Sequence, residues 1–376
     1  MHSKNSSQDF INRFPPPPEG KSGWPWTQIT GKEFRKSSEL YPKISVITPS
    51  FNQGEYIEQT IRSVLLQNYP NLEYIVIDGG STDNTPEILK KYENWIDRIV
   101  IEKDSGQSDA VNKGIKMCSG EIFNWINSDD YYEPECFKNI AEEFNSRNIY
   151  SVSGAYRFFS EVNGDREKII CMKLRDYIEE TIADVPINQI STFFRLKIFK
   201  SLGKLDERLE FVMDQDIWKK YLFRYGQDNI KITGKVFANF RYHPLSKTYN
   251  NEFKTEYMRI YHSIARKNGM PEIADVLRKI YTKISDKNFE FDFSFNESEV
   301  ITARKALNYY ILLEAKKSIT ENNTDMFPEI VTAINPAYLS EKSRAVYKIL
   351  KLKSKLYKYN LDFLLKYVKK PLPKKF

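Results

Sequence analysis

The 376-residue sequence carries 57 Lys and Arg against 50 Asp and Glu, a formal charge of +7, with 41% hydrophobic and 14% aromatic residues. No stretch approaches the roughly 18 to 20 uncharged apolar residues of a membrane span, and the opening MHSKNSSQDFINRF lacks the apolar core of a secretion signal. Cys118, Cys136 and Cys171 are too few and too scattered for a disulfide framework and read as buried or partly buried thiols, so the expected compartment is the cytoplasm.

Residues 1–40 read as an N-terminal arm: PPPPEG favours an extended conformation, and Trp24 and Trp26 are expected to lie over the body. From 41 to 250 apolar runs alternate with helical segments, in the order KISVIT, helix 55–67, LEYIVID, helix 84–95, RIVIEKD, helix 107–118, EIFNWIN. Strand and helix repeated in this way predict a doubly wound α/β sheet. Further strands are expected near 150–160, 189–195 and 230–240, with a helix from Asp214 to Tyr225. A helical C-terminal region follows over 251–340, broken by SDKNFEFDFSFNES.

The tail, 341–376, holds twelve Lys and Arg against two acids, so its +10 leaves about −3 on the rest of the chain. Val346, Ile349, Leu350, Leu356, Leu364 and Val368 recur there at roughly helical spacing. The pattern suits an interfacial helix on an anionic membrane surface, or a helix covering its own domain. No recognition module for nucleic acid accompanies it.

In doubly wound sheets ligands bind outside the carboxyl ends of the strands. Four such ends are polar here: Pro49-Ser50-Phe51-Asn52, Asp78 to Asp83, Asp104 to Gln107, and Asn127-Ser128-Asp129-Asp130. Asp129 and Asp130 repel each other unless solvated, hydrogen-bonded or bound to a cation, so they read either as a solvated turn or as oxygen ligands for Mg²⁺ or Mn²⁺. Asp78 can accept from a base N–H or a ribose hydroxyl, or can bond the amides that follow it. Thr85 reads as a helix N-cap with Pro86 at the first helical position.

Asp109, Asn112 and Lys113 fall on one helical face by spacing, which is either a ligand-facing or a solvent-facing surface. Asp214 and Asp216 stand at the start of a helix, where the dipole favours acids for capping reasons alone. His243 and Lys247 follow a strand, the histidine reading as a metal ligand, a diphosphate contact or a structural imidazole.

With these residues in place, the chain resembles the family 2 glycosyltransferases, an inverting group with the GT-A nucleotide-sugar fold. The resemblance rests on ISVITPSFNQGEYIEQTIRSVLLQNYPNLEYIVIDGGSTDNT, DSGQSDAVNKGI, SGEIFNWINSDD, NQISTFFRLKIFKSLGKLDERLEFVMDQDIWKKYL and RYHPLSKT, in order over roughly 43–249. It implies a Rossmann-like mixed sheet flanked by helices. It also implies nucleoside binding by Pro49, Ser50, Asn52 and Asp78, with Asp109 and Lys113 facing the nucleotide. Asp129 would reach the ribose or the metal, Asp130 and His243 would hold Mn²⁺ or Mg²⁺, and Lys247 would meet the diphosphate. Asp214 matches the general base; Met213 stands where the family often has a further acid, so Asp216 is the fallback. Asn127 likewise occupies a place where many relatives carry an acid.

The resemblance implies a reaction that moves a sugar from a nucleoside-diphosphate donor, expected to be a UDP-sugar, to a hydroxyl of a glycan or lipid-linked glycan. A non-catalytic nucleotide-sugar-binding protein on the same fold is the alternative. A Rossmann oxidoreductase is disfavoured, because TPSFNQGEY holds a single glycine where Gly-x-Gly-x-x-Gly is needed.

Overall fold

A computed structural model describes residues 10–30, 41–162, 167–184, 188–244, 246–247, 253–281, 289–321 and 324–359. The chain divides into two compact units: 1–173 with 187–217 and 227–251, and 174–186 with 218–226 and 252–376.

The first unit begins with β1 (Ile44–Ser50), α1 (Ile57–Leu65), β2 (Leu72–Asp78), α2 (Thr85–Lys91), β3 (Arg98–Ile101), α3 (Gln107–Met117) and β4 (Ile122–Trp125). These are the alternating segments of the sequence pattern. β1 is buried along its whole length, as a β-branched run in the middle of a parallel sheet should be. α3 packs on β1 so closely that a Cβ on Gly114 would lie 2.7 Å from Ile47 Cδ1, which leaves glycine as the residue that fits.

After β5 (Tyr131–Tyr132) and α4 (Cys136–Glu143) the chain adds β6 (Ser151–Ser160) and β7 (Lys168–Ile170). α5 (Ile178–Ala183) precedes β8 (Thr192–Arg195), α6 (Leu196–Ser201), α7 (Met213–Tyr225) and β9 (Ile230–Tyr242). The nine strands form one sheet in the order β3-β2-β1-β4-β8-β6-β9-β5, with β7 on β6. The β3-β2-β1-β4 half is parallel; β8 runs antiparallel to β4 and β6, and β9 returns parallel to β6. The sheet is therefore mixed. Beneath it Val46, Ile57, Ile61, Val64, Tyr74, Val76, Leu89, Phe137, Phe193 and Phe237 form the core, each fully buried aliphatic side chain worth about 1.5–3 kcal/mol.

The arm belongs to this core. Phe14 is buried in it, Trp24 Nε1 donates to Tyr132 O at 2.8 Å, and the buried Arg62 guanidinium donates to the carbonyls of Pro15, Pro25 and Trp26. Two sequence readings need correction. Asn84, not Thr85, holds the N-cap position of α2, because the Thr85 hydroxyl accepts from the Gln53 amide at 3.1 Å in the neighbouring loop. Cys171 is exposed, whereas Cys118 and Cys136 are buried.

The second unit is helical: α8 (Phe253–Lys267), α9 (Pro271–Ile280), α10 (Glu297–Thr320), α11 (Phe327–Ala333) and α12 (Glu341–Lys358). α10 starts with a reciprocal cap, Asn296 Oδ1 accepting from Glu299 N–H while Glu299 Oε2 accepts from Asn296 N–H. The alternating phenylalanines before it turn Phe289, Phe291 and Phe293 inward. α12 buries Ser343, Val346, Tyr347, Leu350 and Ser354, so its apolar stripe covers its own unit. Leu364 and Val368 lie outside the described residues. No helix among the described residues is long and apolar enough to cross a membrane.

Candidate active site

The register that pairs Ser50 with Asp78 brings the ends of β1 and β2 level, and Gly79 N–H donates to Ser50 O at 2.8 Å. The two following loops are laced together. Asn52, left-handed at φ 52°, donates its amide to Ser81 Oγ at 2.7 Å and accepts from Thr82 N–H on Oδ1 at 2.9 Å. Gly54 N–H reaches Asp83 Oδ2 at 2.8 Å.

Asp78 is fully buried, and its carboxylate accepts from Gly80 N–H at 3.1 Å, Ser81 N–H at 2.8 Å and Ser81 Oγ–H at 2.6 Å. Of its two sequence readings, the geometry displays the turn aspartate. Pro49 and Ser50 are buried at the same edge, and Ser50 Oγ has no hydrogen-bond partner among the described residues. Phe51 between them and Asn52 is 59% exposed.

At the next strand end the spacing argument splits. Asp109 and Lys113 do pair, at 3.3 Å, and Lys113 also lies 2.9 Å from Glu102. The Ser105 amide on Asp109, followed by Lys113, holds that carboxyl below the usual range; Glu102 above all raises Lys113. Asn112 turns the other way, donating to Leu205 O and Glu207 and accepting from Leu205 N–H, and so fixes the loop ahead of α7.

The Asp129–Asp130 turn is the most constrained part of the site. Pairing of β5 with β9 sets Tyr131 opposite Asn239 and carries Arg241 and His243 to the turn. Asp130 is 2% exposed, with Oδ1 accepting from Arg241 N–H at 2.9 Å. Burial, then the charge of Asp129, pushes its carboxyl well above the ordinary range. Asp129 is more open, and its Oδ2 lies 3.0 Å from His243 Nε2. The His243 ring is buried against Tyr56, and Nδ1 has no hydrogen-bond partner among the described residues.

Arg241 had no role in the sequence reading, yet its guanidinium underlies the turn. Nε donates to Asp129 O at 2.8 Å, Nη2 to Gln59 Oε1 at 2.8 Å, Nη1 pairs with Glu161, and the group stacks between Tyr56 and Phe159. The signal was present in NFRYH: Asn239, Arg241 and His243 alternate with aromatics and are all buried. A buried arginine at strand period requires acceptors on the same face.

Asp214 occupies the first turn of α7, with Oδ1 accepting from Gln215 N–H at 2.8 Å. Asp216 is fully buried in the same turn. Lys247 is exposed and donates to Glu210 O at 3.0 Å, in the loop leading to that helix. Beside it, Ser108 Oγ donates to Leu209 O at 3.3 Å and to Met213 Sδ at 2.9 Å.

No three His, Cys, Asp or Glu side chains converge as a metal cage among the described residues. The donors at the turn are two carboxylates and one imidazole whose Nδ1 is unpartnered. Such an incomplete oxygen-rich set fits a hard divalent cation that takes its remaining ligands from water and phosphate. Asp129 is the more accessible carboxylate of the pair; a cation would also offset the charge that burial disfavours on Asp130.

Residues 45–205 match the profile described as Glycosyl transferase family 2. A glycosyltransferase of Rickettsia typhi, uncharacterized, is 28% identical over 198 residues, which cover 50% of this chain and 61% of that protein. The putative teichuronic acid biosynthesis glycosyltransferase TuaG of Bacillus subtilis is 34% identical over 132 residues, 34% of this chain and 52% of TuaG. The matches thus span a little over half of these relatives. The structure of S. aureus TarS 1–349 in complex with UDP-GlcNAc has the same fold, with a TM-score of 0.51 at 18% identity, covering 85% of this chain and 92% of that one. Residues 45–205 are thus similar to glycosyl transferase family 2, and the mixed α/β sheet is of GT-A type.

Proposed function

We propose that the protein transfers a sugar, with inversion, from a UDP-sugar to a hydroxyl of a glycan or lipid-linked glycan. The observation that carries this reading is the gathering of Ser50, Asn52, Asp78, Asp129 and Asp130 on adjoining strand ends, with an acid at the start of α7. The TarS structure of like fold holds UDP-GlcNAc, which favours a UDP-sugar, and TuaG is named for teichuronic acid biosynthesis, which favours a glycan acceptor.

In this reading Pro49, Ser50, Asn52 and Asp78 hold the nucleoside, Asp78 in part by keeping the loop in shape. Asp109 and Lys113 border the nucleotide, and Asp129 serves the ribose or the cation. Asp130 and His243, with water and phosphate oxygens, would hold Mn²⁺ or Mg²⁺, which when bound would offset negative charge on the departing diphosphate. Lys247 adds positive charge there. Asp214 takes the acceptor hydroxyl's proton as its oxygen bonds to the anomeric carbon; the bond to the diphosphate breaks and the electron pair leaves with it. Asp216, fully buried, is the weaker candidate for this base. The basic C-terminal segment would keep the enzyme at an anionic membrane surface, on the cytoplasmic side.

Asp214→Asn tests the assignment. UDP affinity should stay within about twofold while transfer or slow donor hydrolysis falls by at least about 100-fold. Retained activity in Asp214→Asn with loss in Asp216→Asn would move the base; UDP-sugar binding without any turnover by the parent would leave a nucleotide-sugar-binding protein.

A further inference from the structure

We propose that Arg344, Lys348, Lys351, Lys355 and Lys358 of α12 form a docking stripe for an anionic lipid surface, bound by charge without insertion of the helix. All five are exposed, and their 4-3-4-3 spacing keeps them within roughly 80° of the helix circumference along about 21 Å. None of the five has an ion-pair partner among the described residues. Over Glu341–Lys358 there are seven basic residues and one acid, and the sequence continues through 360–376 with five lysines and one aspartate.

The apolar side of α12 cannot be what meets the lipid. Val346, Tyr347 and Leu350 are buried in the second unit, where Tyr357 also meets Phe327 edge to face at 5.5 Å. What remains is the cationic stripe, flanked by Leu352 at 50% exposure and Tyr359 at 67%. Lys355 and Lys358 complement the C-terminal end of the helix dipole. That reason does not extend to Arg344, Lys348 and Lys351. Like charges three and four residues apart repel and cost helix stability, and the one acid of the helix, Glu341, neighbours only Arg344. A counter-surface of negative headgroups does, and a flat one matches a straight row of five charges.

The proposal deepens the membrane placement in the proposed function but stands on different residues from the transfer reaction. The test uses the full chain and sedimentation with vesicles of phosphatidylcholine alone or with about 30% phosphatidylglycerol. Binding is expected only to the anionic vesicles and should collapse at about 0.5 M salt, where the Debye length is only a few ångströms. With roughly a five-fold contribution per charge, the triple variant Lys348→Gln, Lys351→Gln, Lys355→Gln should partition roughly 100-fold less. Lys90→Gln with Lys91→Gln, on α2, should change partition little.

Donor hydrolysis without vesicles should be the same in the triple variant and the parent. Equal binding to neutral vesicles, salt-resistant binding, an unchanged triple variant, or an equal loss in the α2 variant would each overturn the proposal. So would retention on single-stranded RNA with none on vesicles. Absent hydrolysis in a parent that binds anionic vesicles would count against the transfer reading alone.

Discussion

Replacing Arg241 by Met removes the charge behind the Asp129–Asp130 turn while keeping much of the side chain's length. The parent guanidinium makes a charged hydrogen bond to Asp129 O and another to Gln59, each worth about 1.5 kcal/mol at the lower end of such bonds. Its pair with Glu161, whose side chain is 38% exposed, adds no more than about 1 kcal/mol after solvent screening. Stacking on Tyr56 and Phe159 adds about 0.5 kcal/mol each, part of which Met recovers. Since such contributions overlap, the expected net loss is about 3 kcal/mol.

Urea unfolding of the first unit, followed by tryptophan fluorescence, reads that loss. Glu161→Gln should cost less than about 1 kcal/mol in the same assay. If the turn holds the nucleotide, Arg241→Met should also weaken UDP binding in the presence of Mn²⁺ by at least about tenfold, read by calorimetry at a temperature where the variant is folded. Arg241→Lys keeps the charge but cannot reach all three acceptors, and should recover less than half of either effect. A stability loss below about 0.5 kcal/mol would refute the reasoning about the turn, and a large stability loss with unchanged UDP affinity would refute its link to the site.

Two further outcomes concern the sheet. Burial pushes the Glu73 carboxyl up, but bonds from Lys43, Ser119 and Ser45 outweigh it and bring it down to about 2. Because the folded value lies below the unfolded one, this stabilisation is fully present above about pH 4.5 and is lost as the pH falls toward 2. Glu73→Gln should therefore cost about 2 kcal/mol at pH 7, after discounting the partly exposed Lys43, with a gap to the parent that narrows below pH 4.5; a pH-independent gap in urea titrations would contradict it. At Gly154, where the β6–β9 register shifts, an added Cβ would collide with the Phe237 ring. Gly154→Ala should lose more than about 2 kcal/mol, and Phe237→Leu added to it should return part of that; a neutral Gly154→Ala would show that the ring can move aside.

The β1 to β4 alternation was legible from the sequence because buried parallel strands are continuous apolar runs and the intervening helices carry a different period. The polar strand ends were legible for the same reason, since a parallel sheet sends every carboxyl terminus to one edge. Which side chains share a surface there was not. Spacing grouped Asn112 with Asp109 and Lys113, but neighbouring positions on one helical turn face different elements once it is packed, and Asn112 went to the loop at Leu205.

The role of Arg241 and the pairing of His243 with Asp129 depend on β9 lying beside β5, a contact between residues more than one hundred apart in the chain. The tail shows the same division. Its charge and helical period are properties of the sequence, whereas packing on the second unit decided that the apolar stripe is buried and the lysines are left to solvent. Local periodicity follows from backbone geometry alone; the partner that a face meets follows from long-range packing, which only the folded chain supplies.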